Sequence, residues 1–64
     1  MNFNKAAGIY DNLQNLVNDT QTDVVKFTEG NSSAGTRVRK AMQTIKGLAQ
    51  ELRVEIQEQK NSDF

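Results

Sequence analysis

The sequence contains no cysteine, no histidine, no proline and no tryptophan among its 64 residues. Without cysteine, the chain has no disulfide to stabilise a small domain and no thiolate to bind a metal. Without histidine, it lacks the commonest metal ligand and the commonest general base. We therefore expect no metal, no cofactor and no small-molecule substrate, and we predict that the chain is not an enzyme.

Two local patterns that could indicate catalysis have simpler explanations. Glu51, Glu55 and Glu58 share one side of a predicted helix, but that side faces outward, and a solvated surface does not shift a carboxyl pKa for acid–base work. The segment GNSSAG, residues 30–35, contains glycines. It lacks the Gly-Lys-Ser/Thr ending and the preceding strand of a nucleotide-binding loop.

Long hydrophobic runs are also missing. No run approaches the roughly 20 apolar residues of a membrane span, and the N-terminus does not resemble a signal peptide. We expect a soluble cytoplasmic protein with no membrane partner. A chain of this length buries only about 60% of its unfolded surface, so a second copy is expected to complete its core.

Apolar residues recur every three or four positions in both halves of the chain, which predicts two amphipathic helices with a coiled-coil-like repeat. The first half carries Phe3, Ala6, Tyr10, Leu13, Val17, Thr20, Val24 and Phe27, with Thr20 as the polar exception. The second half carries Val38, Met42, Ile45, Ala49, Leu52 and Ile56. The prediction is a single domain over 1–64, with a helix over about 3–29, a turn at about 30–32 and a helix over about 32–60.

The turn is predicted from residue types that end and begin helices. Gly30 suits the left-handed conformation that terminates a helix. Asn31, Ser32 or Ser33 could cap the next helix by accepting its first amide hydrogens, and the interpretation favours Ser32 or Ser33. Glycines inside the helices, including Gly35 and Gly47, are expected to mark close approach of a helix or a ligand.

Such a short connection predicts an all-α fold in which two long helices pack as an antiparallel hairpin. The apolar arc of each helix spans about half its circumference, which is more than one neighbouring helix covers. A homodimer that forms a four-helix bundle would cover the remainder. The expected oligomer core consists of Tyr10, Leu13, Leu16, Val17, Val24, Phe27, Val38, Met42, Ile45, Leu48, Leu52 and Ile56.

Charge is unevenly distributed, although the net charge is zero. Residues 1–29 carry two basic and four acidic residues (−2), residues 30–46 carry four basic residues and no acid (+4), and residues 47–64 carry two basic and four acidic residues (−2). The local balance sets the field that a ligand meets. The basic centre is therefore the candidate binding region.

Arg37, Arg39 and Lys40 lie in the first turns of the second helix, where the helix dipole disfavours cations. A phosphate bound there would meet free amides and arginines. These three residues are the predicted phosphate contacts, with Lys46 secondary. The supporting hydroxyl donors are Ser32, Ser33 and Thr36.

Arg39, Lys46, Arg53 and Lys60 lie seven residues apart and form a row along the second helix. For Arg53 and Lys60 the interpretation favours pairing with acids of a neighbouring helix. No aromatic residue is interleaved with the basic ones, so base stacking on single strands is not supported. Contacts to phosphates read no base sequence, and binding through them is expected to be salt-sensitive.

Two other functions fit the same residues. A self-association module could pair its basic centre with the acidic ends of neighbouring bundles, without binding DNA. A monomeric hairpin could use its exposed apolar arc to bind a peptide or a membrane surface.

The segment GNSSAGTRVRKAMQTIKGLAQELRVEIQEQKN, residues 30–61, resembles the small linker-histone-like nucleoid proteins typified in chlamydiae and found in other bacteria. The resemblance lies in Gly30-Asn31, the small residues before Arg37, the RVR at 37–39 and the Lys/Leu/Glu-rich helix that follows. It implies a non-enzymatic, DNA-binding, nucleoid-associated protein. Chlamydial members also carry a long lysine- and alanine-rich tail. This sequence shows no such tail, so the expected DNA contact lies at the turn and the start of the second helix.

Overall fold

The structure, a computed structural model, describes residues 4–62. Within this range the chain forms three helices, α1 (Lys5–Asp19), α2 (Gln21–Thr28) and α3 (Ser32–Ser62). The side chain of Asn4 begins α1 by accepting the amide hydrogens of Ala6 and Ala7 at 2.9 and 3.4 Å. The all-helical prediction is confirmed. Phe3, which the sequence pattern includes in the first helix, lies outside the described residues.

The first arm of the hairpin is divided at Thr20, where the sequence predicts a continuous helix. The Thr20 hydroxyl donates to the carbonyl of Val17 at 2.7 Å, and the Thr20 amide donates to the same carbonyl at 3.1 Å. In an unbroken helix that carbonyl would accept the amide of Gln21. A threonine hydroxyl that bonds back to the preceding turn tightens and bends a helix. In the apolar repeat Thr20 is only a polar exception, and the repeat does not predict the break in the helix.

The turn between α2 and α3 confirms one prediction and corrects another. Gly30 has a φ of +99°, and its amide and that of Asn31 donate to Phe27 and Lys26 in the paired arrangement of a Schellman motif. The cap of α3 is Asn31, because its side-chain oxygen accepts the amide hydrogen of Ala34 at 3.0 Å. The preference for Ser32 or Ser33 as the cap is wrong. Both serines already lie in the first turn of α3.

Both α1 and α2 pack along α3, which makes the antiparallel hairpin. Residues equidistant from Gly30 meet across it: Asp23 bonds Arg37, seven residues to either side, and Lys5 pairs with Glu55, 25 residues to either side. At Gly35 the helices come close, since a Cβ atom there would lie 2.5 Å from Cδ1 of Phe27. Glycine is therefore the residue that lets the Phe27 ring rest on α3.

The hairpin is a thin layer with almost no interior. Its principal extents are 52 × 21 × 11 Å, and the thickness is about that of one helix. Among the described residues only Ala34 and Thr20 are buried. The large apolar residues between the two arms are half-buried and comprise Ile9, Leu13, Leu16, Val38, Ile45, Leu48 and Leu52.

Other apolar residues of the expected oligomer core lie largely exposed on one side of the layer. We call this side the apolar face, and it consists of Tyr10, Val17, Val24, Phe27, Met42 and Ile56, with the edge of Val38. Tyr10, Val17 and Val24 recur every seven residues along the first arm, and Met42, Ala49 and Ile56 do so along α3, so each set follows one side of its arm. One hairpin therefore leaves about half of its apolar arc without a partner.

Candidate nucleic-acid interface

The first of the predicted phosphate contacts, Arg37, is held by an acid of the other arm. Its Nε donates to both carboxylate oxygens of Asp23 at 3.1 and 3.2 Å, and its Nη2 donates to Oδ1 at 2.9 Å. This two-pronged geometry is the strongest form of an arginine–carboxylate contact. Arg37 therefore fastens the start of α3 to α2, and Asp23 already balances its charge.

The pair also changes the acidity of both groups. The hydrogen bonds from Arg37, followed by its positive charge, lower the pKa of Asp23 below its ordinary value of 3.8, although partial desolvation opposes the shift. The same hydrogen bonds raise the pKa of Arg37. Asp23 therefore stays ionised, and the contact persists, at pH values where free carboxyls begin to protonate.

Arg39 and Lys40 belong to neither of the ion pairs found among the described residues. Both are exposed, and they border a shallow depression with Thr36 and Gln43 on the outer side of α3. Lys46 is also exposed, farther along α3. The structure thus divides the predicted cation cluster: Arg37 contacts α2, whereas Arg39, Lys40 and Lys46 face solvent.

The predicted hydroxyl donors surround the start of α3. Ser32, Ser33 and Thr36 are all exposed. The Thr36 hydroxyl donates to the carbonyl of Ser32 at 3.4 Å. The positive end of the helix dipole lies at this point, and the amides of the first turn point outward from the helix. The geometry suits an anion that approaches from the solvent side of the turn.

An open groove of about 410 Å³ lies beside the start of α3, on the apolar face. Val24, Phe27 and Val38 form its apolar walls, and Ser32 and Arg39 stand at its polar border. Val24 and Val38 follow Asp23 and Arg37 by one position, or about 100° around each helix. The groove and the Asp23–Arg37 pair therefore lie on different sides of the hairpin.

Sequence reasoning missed Asp23 as a determinant of the site, although a usable signal was present. In an antiparallel hairpin, positions equidistant from the turn lie side by side, and Asp23 and Arg37 each lie seven residues from Gly30. Counting outward from Gly30 itself would have paired them. The pattern of charges along the chain gave no such information, because it treated each segment by itself.

The described residues include no group of three acidic side chains that could hold a metal ion. None of the described helices has the length and apolarity required to cross a bilayer.

Comparison with known proteins gives one clear relationship. No curated protein and no solved structure matches the chain significantly. The model of the family described as histone H1-like protein Hc1 matches residues 7–62, which include both arms of the hairpin, the turn and the basic start of α3. The chain therefore belongs to the histone H1-like Hc1 family.

Proposed function

We propose that this protein is a nucleoid-associated, histone-like protein that binds the phosphodiester backbone of duplex DNA without reading base sequence and acts as a homodimer. The observation that carries the proposal is the acid-free, exposed basic start of α3 in a member of a histone H1-like family. The predicted absence of an enzymatic activity fits a family of this kind.

The contacts follow from the geometry of α3. Arg39 and Lys40 are the principal phosphate ligands, and Lys46 extends the site along the helix. Arg37 contributes less, because its Nε and Nη2 already donate to Asp23, whose carboxylate balances its charge. Hydrogen-bond donors at the positive end of the helix are the hydroxyls of Ser32, Ser33 and Thr36 and the first-turn amides other than that of Ala34, which donates to Asn31. Such contacts position a protein on the backbone and carry no sequence information.

The dimer is supported by the surface of the single chain. Its accessible surface is 5246 Å². A compact monomer of 7.2 kDa is expected to expose about 4,100 Å². The excess of about 1,100 Å² exceeds the roughly 800 Å² that each partner buries in a standard interface. Packing two apolar faces together would form the four-helix bundle and cover the surface that one hairpin leaves in water.

The test is a titration of duplex DNA at several salt concentrations with the wild type and with R39A/K40A. This pair of substitutions leaves the Asp23–Arg37 contact in place, so the fold is retained. We expect the variant to bind more weakly on every DNA sequence, and we expect the slope of log affinity against log salt to fall by about 2 for each bound chain. A wild-type protein that fails to bind duplex DNA at low salt would overturn the proposed function.

The apolar face also supports a second candidate, a self-association module that does not bind DNA. Both candidates predict a dimer, so the wild-type DNA titration separates them. Assemblies that fall apart as salt rises, together with no DNA affinity, would favour the module, because its contacts would join basic centres to acidic ends.

A further inference from the structure

A second basic feature, separate from the start of α3, runs the length of this helix. We call it the basic row, and it consists of Arg39, Lys46, Arg53 and Lys60. Its members lie seven residues apart, so they follow one side of the helix at intervals of about 10.5 Å. All four are exposed. The row borders the apolar face, since Met42, Ala49 and Ile56 recur with the same period beside it.

Among the described residues, no acid forms an ion pair with a member of the row. The two ion pairs found within residues 4–61, Lys5–Glu55 and Asp23–Arg37, use none of its members. Arg53 donates to the neutral amide of Gln50, at 3.5 Å. The carboxylate of Glu55 lies 3.8 Å from Nζ of Lys5 on the other arm and accepts a hydrogen bond from Gln59 of α3 itself at 3.2 Å.

For three members of the row, the opposite arm also has no acid at the same level. Asp23 and Arg37 show that residues at equal distances from Gly30 lie side by side. By the same count, Gln21 lies level with Arg39, Gln14 with Lys46 and Ala7 with Arg53. All three are uncharged. The expectation that Arg53 and Lys60 pair with acids of a neighbouring helix therefore finds no partner among residues 4–61 of the hairpin.

We infer that the basic row is a continuous track for the DNA backbone, so that Arg53 and Lys60 bind phosphates together with Arg39 and Lys46. The inference rests on the proposed function, since it extends the same binding surface. Four cations span about 31 Å along α3, which is close to the 34 Å of one DNA helical turn. A rigid row of this length can therefore contact phosphates at several points along one turn of DNA, whereas a compact cluster of cations would contact them at a single point.

A track along α3 explains why the cations of this helix lie on one side over its whole length. A phosphate site at the turn alone would not explain the positions of Arg53 and Lys60. Counterion release makes affinity depend on the number of phosphates neutralised and not on the net charge of the protein. A neutral chain can therefore bind DNA when its cations are collected on one side of a helix. On α3 the members of the row lie on one side, while Glu51 and Glu58 lie 100° or more away around the helix.

The experiment compares wild-type protein with R53Q/K60Q, which neutralises the distal half of the row and leaves the proposed site at the start of α3 intact. The charge-matched control is K5Q/K26Q, which removes two cations from the other arm. Duplex DNA binding is titrated at several salt concentrations. Helical content and solution mass are recorded for each protein, so that losses of folding or of dimer are recognised.

We expect R53Q/K60Q to bind at least about tenfold more weakly near 0.1 M salt, with a salt slope smaller by about 2 for each bound chain, and we expect the control to keep the wild-type slope. If the wild type binds DNA and R53Q/K60Q has the slope of the control, the track is overturned while the proposed function stands. If R53Q/K60Q loses dimer mass without DNA but binds DNA normally once dimeric, Arg53 and Lys60 pair with the partner copy, and the track is again overturned. If the wild type does not bind DNA at all, the proposed function itself fails.

Discussion

The two sides of the hairpin are held in different ways. On one side, which we call the ion-paired face, Asp23 bonds Arg37 and Lys5 lies 3.8 Å from Glu55 across the two arms. On the apolar face, the corresponding positions are occupied by residues such as Val17, Val24 and Met42, and these remain 41–46% exposed. The first face is held by ion pairs within one chain, whereas the second keeps large apolar side chains exposed.

This difference shows that the two faces contribute to the structure of the single chain by different interactions. Ion pairs on a surface contribute little to stability, but they fix the register of the two arms. Burial of apolar surface supplies most of the free energy of folding, and here much of that surface remains exposed in the single chain. Substitutions on the two faces should therefore differ in kind as well as in size.

The largest effect is expected from placing a charge on the apolar face. Met42→Glu would bury an unpaired carboxylate in the proposed dimer, and an uncompensated buried charge costs about 3–5 kcal/mol. We expect association at least about 100-fold weaker and a loss of helical content at low protein concentration. Sedimentation equilibrium and circular dichroism over a dilution series measure both.

Thr44→Glu is the matched control for this substitution. Thr44 is exposed and lies seven residues after Arg37, so it shares the ion-paired face of α3. The control introduces the same charge two residues away and should leave association unchanged. Equal dimer mass for the two variants would contradict the assignment of the apolar face as the interface.

An intermediate effect is expected from adding one methyl group at two glycines of α3. At Gly35 a Cβ atom would meet the Phe27 ring at 2.5 Å, whereas at Gly47 it would meet nothing within 4 Å. Gly47→Ala should stabilise the protein by about 0.5–1 kcal/mol because alanine favours the helix. Gly35→Ala should be less stable than Gly47→Ala by about 1–3 kcal/mol, because the ring must leave α3.

Urea unfolding at one fixed protein concentration measures this difference. Repeating it in a Phe27→Ala background tests its cause, because removing the ring should bring the two alanine variants to the same stability. A difference that persists without the ring would show that the close approach at Gly35 is not its source.

The smallest effect is expected on the ion-paired face, and it depends on pH. Because Arg37 lowers the pKa of Asp23, the contribution of this pair to stability is fully present above the ordinary pKa of 3.8 and is lost as pH falls through the lowered value. The gap in unfolding free energy between the wild type and Asp23→Asn should therefore be constant from pH 7 to about pH 4 and close below it.

Asp11→Asn removes an exposed carboxylate from the same arm and serves as the charge control. Thermal unfolding between pH 7 and pH 2.5 follows all three proteins. A gap between the wild type and Asp23→Asn that widens as the solution is acidified would contradict the direction of the pKa shift.

The sequence indicated more of the fold than of the site. The period of the apolar residues predicted helices in both arms, and Gly30 marked the turn, because both signals depend on neighbours within a few residues. The sequence does not distinguish Asn31 from Ser32 and Ser33 as the cap of α3, since several residue types accept the same amides. The break at Thr20 depends on which way a hydroxyl points, and the pattern of apolar residues does not record that.

For the site, the sequence identified a basic centre but could not divide it. Arg37 and Arg39 are equivalent as residue types and lie two positions apart. Only the packing of α2 against α3 brings Asp23 within hydrogen-bond distance of Arg37 and leaves Arg39 exposed to solvent. Whether Arg37, Arg39, Lys40 and Lys46 bind phosphate remains the prediction that the DNA titrations address.

By itself, the sequence determined two helical arms, a turn at Gly30 and an uneven distribution of charge, because helix hydrogen bonds and turn conformations are set within about four residues. The tertiary structure decided how each helix is rotated about its own axis. An apolar arc that covers half a helix permits several rotations, so the repeat alone cannot choose among them. In the observed rotation, Phe27 packs on Gly35 and Arg37 bonds Asp23. The same rotation places the apolar face and the basic row side by side on the exposed surface.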